Sequence, residues 1–206
     1  MNFVGHVVAA QGQSKSAAFG FGAMLPDFAT MCQARLGPPR DPAVAAGVAH
    51  HHRADAAFHR LPLFLTHYKE ATRRLERAGL ARGPARGAAH VVVELALDGE
   101  LVRDEAWAGA YLGALAHGHP SRAGDALELV GWPLLHERLT ARGVPHGYRD
   151  PTTVGRIIAH ILSGRPLLAL RTGDEARVRG ELPRIQERVA ADAAAIMSAL
   201  AVRLQA

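Results

Sequence analysis

Cysteine occurs once, at Cys32, and a single thiol rules out any intrachain disulfide framework. A reducing, cytoplasmic setting is the expectation that follows. Aromatic residues make up only 5% of the chain and alanines are many, a balance that favours helix over sheet. No stretch approaches the roughly 20 uncharged apolar residues that a membrane-spanning helix needs. The opening residues, Met1 to His6, carry no basic segment ahead of an apolar run, so no signal peptide is read there. A Walker A loop, a dinucleotide fingerprint, a Gly-x-Ser-x-Gly elbow and zinc-type cysteine pairs are all missing, which removes the commonest nucleotide, acyl-transfer and zinc-finger readings. Cys32 has no local support as a nucleophile. Acidic side chains are outnumbered, 19 against 24 basic, for a net charge of +5 with twelve histidines besides. A mildly basic surface suits an acidic partner, although no specific nucleic-acid motif is present.

What remains is a chain of 206 residues, 49% apolar, enough for one substantial core. The expectation is an all-α, single-domain helical bundle over residues 1–206. Residues 2–10 suit a short helix or strand, and residues 11–16 a loop. Residues 19–31 read as a small-residue segment, in which Gly20 and Gly22 allow close backbone approach and Pro26 turns Leu25 away from helix. Gly37, Pro38 and Pro39 break the chain. Asp41 then caps a helix with Pro42 at its first position, running to about Arg60. A second helix is expected over 63–78, with Leu65, Tyr68 and Leu75 inward, Lys69, Arg73, Arg74 and Arg77 outward, and Gly79 as its stop. Residues 82–87 suit a turn. Residues 88–97 contain a valine run that fits a strand or a buried helix; helix is preferred because it sets His90 and Glu94 four apart on one face. Helical patterns continue over 104–116, 121–142, 151–163 and 174–204, with a kink or junction expected near Pro183.

The chemistry-bearing stretch is residues 49–59, which hold four histidines and one aspartate. On a helix, His51, Asp55 and His59 recur every four residues and stack along one face, where imidazoles and a carboxylate can converge on a cation. Three consecutive histidines cannot all face one site, so His50 or His52 must turn elsewhere. His90 and Glu94 form a second pair, and a buried ionised Glu94 needs a cation, a hydrogen-bond network or an exposed position. His6 lies among valines and Asp27 follows Pro26; taken alone, each suits a core or turn role as well as a ligand role. Arg53 lies beside the main cluster, where it could contact phosphate or form a surface ion pair.

These residues carry a resemblance. Met1-Asn2-Phe3-Val4-Gly5-His6 is similar to the Met-Asn-Phe-Leu-Ala-His opening of the acyl-carrier-protein phosphodiesterases. Gly22 to Phe28 resembles their Gly-Asn-Leu-Leu-Gly-Asp-Phe, and Ala46 to Asp55 resembles their Gly-Ile-x-x-His-Arg-x-Ile-Asp helix. The run from Ile157 to Arg171 follows their pattern too. The resemblance implies a helical fold of the His-Asp metal-dependent phosphohydrolase type. It also implies a divalent metal, manganese in that family, and hydrolysis of the phosphodiester that joins 4′-phosphopantetheine to an acidic acyl carrier protein. His6, Asp27, His51 and Asp55 would belong to the site. The family's Thr-Asp falls at Phe58-His59 here, and its Asp-x-x-x-Asp-His falls at His90 to Leu95. Two acids have become histidine and one histidine has become leucine, which shifts metal preference from manganese towards iron, zinc or cobalt.

The expected metal ligands are therefore His6, Asp27, His51, Asp55, His59 and His90. Glu94 or His59 would serve as general acid or base, Glu94 doubling as a possible ligand, and Arg53 would contact phosphate. Two other functions fit the same sequence: an iron-dependent oxygenase on the same scaffold, and a non-catalytic helical binding protein.

Overall fold

The computed structural model describes residues 1–120 and 129–205. It is all-helical, with no strand among the described residues. The helices are α1 (Phe3–Ala10), α2 (Ala17–Met31), α3 (Pro42–Phe58), α4 (Pro62–Arg77), α5 (Arg82–Leu101), α6 (Glu105–His117), α7 (Trp132–Arg142), α8 (Pro151–Ser163) and α9 (Asp174–Gln205), with a 3₁₀ turn at His146–Arg149. No helix among the described residues is long and apolar enough to cross a membrane. The part of the expected 121–142 helix that falls at 121–128 lies outside the described residues.

The chain divides into two compact units. The first comprises Met1–Phe58, Leu101–Pro145 and Leu200–Ala206; the second comprises His59–Glu100 and His146–Ala199.

In the first unit, α2 is the central helix and packs on α1, α3, α6 and α7. It runs straight through Pro26, so the expected turn away from helix at Leu25 does not occur. A proline inside a helix loses one backbone hydrogen bond and costs about 3 kcal/mol. Against that stands the burial of Phe21, Ala23, Met24, Leu25 and Phe28, all at most 1% exposed. Such burial is worth about 1.5–3 kcal/mol for each large side chain, so the packed helix wins. The α2–α3 crossing is built on glycine. A β-carbon on Gly22 would fall 2.1 Å from the Val44 carbonyl oxygen, and one on Gly47 would fall 2.2 Å from that of Phe19. Backbone meets backbone there, and only hydrogen fits between. The start of α3 follows the sequence signal: Asp41 Oδ1 accepts from the amides of Ala43 (2.7 Å) and Val44 (3.3 Å). Trp132 ties α7 into the unit by stacking on Phe28 and donating from its indole to the Gly118 carbonyl at 2.8 Å.

In the second unit, α4 turns Phe64, His67, Ala71 and Leu75 inward. Leu75 is as expected. Leu65 is 37% exposed and Tyr68 half-buried, so the inward stripe sits one residue before each of those two. Three polar contacts join α4 to α9: Arg74 to Glu181 (2.8 Å), Arg188 to Glu70 (3.1 Å) and His67 to Asp192 (3.0 Å). Residues 82–87 are the first turns of α5 rather than a separate turn. Pro84 is tolerated because the first amides of a helix have no intrahelical partner to lose. Gly83 and Gly87 face Leu167 and Leu168 of the segment after α8, and a β-carbon on Gly83 would meet the Leu167 carbonyl oxygen at 2.5 Å. The ambiguous 88–97 segment is helical, and α9 is unbroken across Pro183.

Candidate functional site: two histidine–carboxylate clusters

The first cluster belongs to the first unit and draws on three helices. His6 comes from α1, Asp27 from α2, and His51 and Asp55 from α3, one turn apart. The imidazoles of His6 and His51 stack with centroids 3.8 Å apart and planes 22° apart. His6 Nε2 lies 3.7 Å from Asp55 Oδ1 and 4.0 Å from Asp27 Oδ2. Asp55 also accepts a 2.8 Å charged hydrogen bond from the amino group of Met1. His6, Asp27 and His51 each bring a ligand-type atom within 4.8 Å of the others.

The tautomer of His51 follows from its surroundings. Its Nδ1 lies 2.8 Å from the carbonyl oxygen of Ala23, an acceptor, so Nδ1 carries the proton and donates. Nε2 is left with its lone pair exposed for ligation. Burial lowers the His51 pKa to about 4, against the raising effects of the Ala23 bond and Asp55, so the ring is neutral at pH 7. A neutral imidazole with a fixed second nitrogen is the form that binds a metal.

The flanking histidines divide. His50 is fully buried against the Phe19 ring, 5.3 Å between centroids, and its pKa is lowered to about 4, chiefly by burial. His52 is exposed and meets His51 edge-on. Arg53 is exposed as well. At 100° per residue it lies nearly opposite the line through His51 and Asp55, so the structure does not bring it to the cluster.

The second cluster belongs to the second unit. The helix carrying His51 and Asp55 stops at Phe58, because Pro62 holds Leu61 extended (φ −66°, ψ 133°) and the last turn unwinds before it. His59 thus falls beyond the helix instead of continuing the His51–Asp55 face. Its Nε2 lies 3.0 Å from Glu94 Oε1 and 3.3 Å from His90 Nε2. His90 Nε2 completes the triangle at 3.1 Å from the same Glu94 oxygen. Burial works against a charge on Glu94, yet its carboxyl is held well below the usual range, with the hydrogen bonds from both imidazoles among the causes. Phe64 and Tyr68 of α4 set their rings edge-on to His90, and Phe64 does so to His59 as well.

No family model matches the chain, and neither does any curated protein or solved structure.

Of the residues singled out from sequence, His6, Asp27, His51 and Asp55 meet in one cluster, and His59, His90 and Glu94 in the other. The sequence reading passed over two partners. One is the Ala23 carbonyl, a backbone group with no side-chain signature. The other is His67, 3% exposed with Asp192 at 3.0 Å, a pair whose members lie too far apart in the chain for any spacing rule to link them.

Proposed function

We propose that the chain is a metal-dependent phosphodiester hydrolase whose divalent ion is held by His6, Asp27, His51 and Asp55. The observation that carries this reading is the convergence of His6, Asp27 and His51 from three separate helices, their ligand-type atoms within 4.8 Å of one another, with Asp55 beside His6 at 3.7 Å and His51 Nε2 left as a lone pair. Two imidazoles and two carboxylates form a mixed nitrogen–oxygen set suited to manganese, iron or zinc. A divalent ion in such a set lowers the pKa of bound water towards 7 and offsets charge on phosphoryl oxygens.

The chain's own residues supply the rest. The Ala23 carbonyl fixes the His51 ring so that it need not reorient on binding. The stacked pair of His6 and His51 presents two donors side by side. Burial of both imidazoles keeps bulk water from competing for them. Asp27 and Asp55, partly exposed, face the solvent from which substrate arrives.

The substrate class proposed is the phosphodiester between 4′-phosphopantetheine and an acyl carrier protein, within the fold type of the His-Asp phosphohydrolases. An acidic carrier is matched in charge by the chain's excess of basic over acidic side chains, 24 against 19.

The test is to incubate the protein with manganese and a phosphopantetheinylated carrier and to follow the carrier's mass. Loss of the prosthetic arm is expected with the unaltered chain. His51→Ala and Asp55→Ala should each abolish cleavage together with the ion held at this first cluster. Activity retained in both variants would refute the assignment.

A further inference from the structure

The second cluster has a geometry of its own. Its three edges measure 3.0, 3.1 and 3.3 Å, between His59 Nε2, His90 Nε2 and Glu94 Oε1. Donors about 2.0–2.1 Å from a metal lie about 3.0 Å apart on one face of an octahedron and about 3.4 Å apart at tetrahedral angles. All three edges fall between those limits. An ion seated against this triangle would need almost no movement of the side chains. The atoms are of the right kind, since the nitrogens are both Nε2, the outer position of the ring, and one carboxylate oxygen serves both.

The surroundings hold the triangle in place. His90 and Glu94 are four apart on α5, so one helical turn sets their spacing. The planes of His59 and His90 lie within 14° of each other, and Phe64 closes on both from the side. One flank stays open, because the His90 side chain is 44% exposed and that of His59 28%. Solvent and small ligands can reach it.

We propose that His59, His90 and Glu94 form a three-ligand site for a divalent transition metal of the iron-to-zinc series, with coordination positions left for an exogenous ligand. Two nitrogens and a single carboxylate select against magnesium and calcium, which take oxygen sets. The selectivity of this site therefore differs from that of the carboxylate-richer first cluster, and it does not depend on the hydrolase reading.

The experiment uses the full chain, stripped with chelator and titrated with cobalt(II), which reports its ligand field in the visible. A background variant carrying His51→Ala and Asp55→Ala silences the first cluster. That background should bind one equivalent of cobalt(II), zinc(II) should displace it and magnesium(II) should not, and azide should shift the bands. Adding His90→Ala should weaken binding by more than about 100-fold, since loss of even an outer-sphere partner costs 10–100-fold. If the His90→Ala protein melts early, Glu94→Gln, which keeps the side chain's volume, provides the same comparison. No cobalt binding in the background, or binding that neither variant weakens, would overturn the site. The outcomes also separate the two proposals. A wild-type protein binding one ion that depends on His90 alone sinks the hydrolase assignment, and one depending on His51 and Asp55 alone sinks this one.

Discussion

The Nδ1 of His51 lies 2.8 Å from the carbonyl oxygen of Ala23, joining the third turn of α3 to the backbone of α2. That contact decides which of the two nitrogens is available, and it makes His51 unlike its neighbours at 50 and 52. With the second cluster silenced by His90→Ala, His51→Ala should lower affinity for manganese or zinc by more than about 100-fold, beyond what an outer-sphere loss gives. His52→Ala should leave it unchanged, since that ring is exposed. Titration calorimetry reads both. Equal losses in the two variants would mean that the histidine run binds metal as a loose tract.

His50 predicts a pH dependence of stability. Its ring is fully buried, and its folded pKa is lowered to about 4 from an ordinary 6.5. The sign follows from proton counting. Between those values the unfolded chain binds a proton that the folded chain refuses, so stability is complete above 6.5 and is lost as pH falls towards 4. His51 acts in the same direction, and each is worth about 1–3 kcal/mol across that window. His50→Leu should match the wild type near pH 8 and lose less on acidification, read as urea midpoints at pH 8, 6, 5 and 4.5. Parallel curves for the two proteins would show that His50 does not sit neutral in the core.

The cap at Asp41 predicts a smaller, local effect. It accepts from two amides that no intrahelical carbonyl can serve. Asp41→Ala should cost about 1 kcal/mol, with Asp41→Asn recovering most of it. Thermal melts at fixed metal content measure this. A neutral Asp41→Ala would mean that Pro42 alone defines the helix start.

How far the sequence could be read depended on whether the deciding physics was local. Asp41-Pro42, Leu61-Pro62 and Gly79 mark helix ends through their own backbone chemistry, and the helices begin or end beside them. Pro26 and the Gly83-Pro84 pair carry the same kind of signal but sit inside helices. In the first case burial of an apolar face outweighs one lost hydrogen bond, and in the second the proline falls where no bond was due. Neither fact is local. Leu75 faces the core as its spacing predicts, whereas Phe64 and His67 take the inward places of Leu65 and Tyr68, because these are adjacent pairs of which either member could face the core. His51 and Asp55 were legible as a pair from helical spacing, and so were His90 and Glu94. That His59 would leave the first set for the second was not, because it depends on the helix ending at Phe58. The division of the chain into two interleaved units had no mark in composition at all.

The crossing of α2 and α3 yields the prediction that ties fold to site. Replacing a helical glycine by alanine ordinarily stabilises, by roughly 0.5–1 kcal/mol. Gly113→Ala, exposed on α6 with nothing within 4 Å of the new β-carbon, should behave that way. Gly47→Ala should do the reverse. Its β-carbon would stand 2.2 Å from the Phe19 carbonyl oxygen and 2.8 Å from the Gly22 α-carbon, backbone atoms that cannot rotate aside. The helices must part, at a cost of about 1–3 kcal/mol. Asp27 lies five residues beyond Gly22 on α2, and His51 lies four beyond Gly47 on α3, so the same displacement moves two members of the first cluster apart. Metal affinity at that cluster should therefore fall in Gly47→Ala even at temperatures where the protein is folded, while Gly113→Ala keeps it. Calorimetric melting and metal titration on both variants separate the effects. A Gly47→Ala protein as stable as the wild type would mean that α2 and α3 do not meet at these glycines, and the placement of Asp27 beside His51 would go with them.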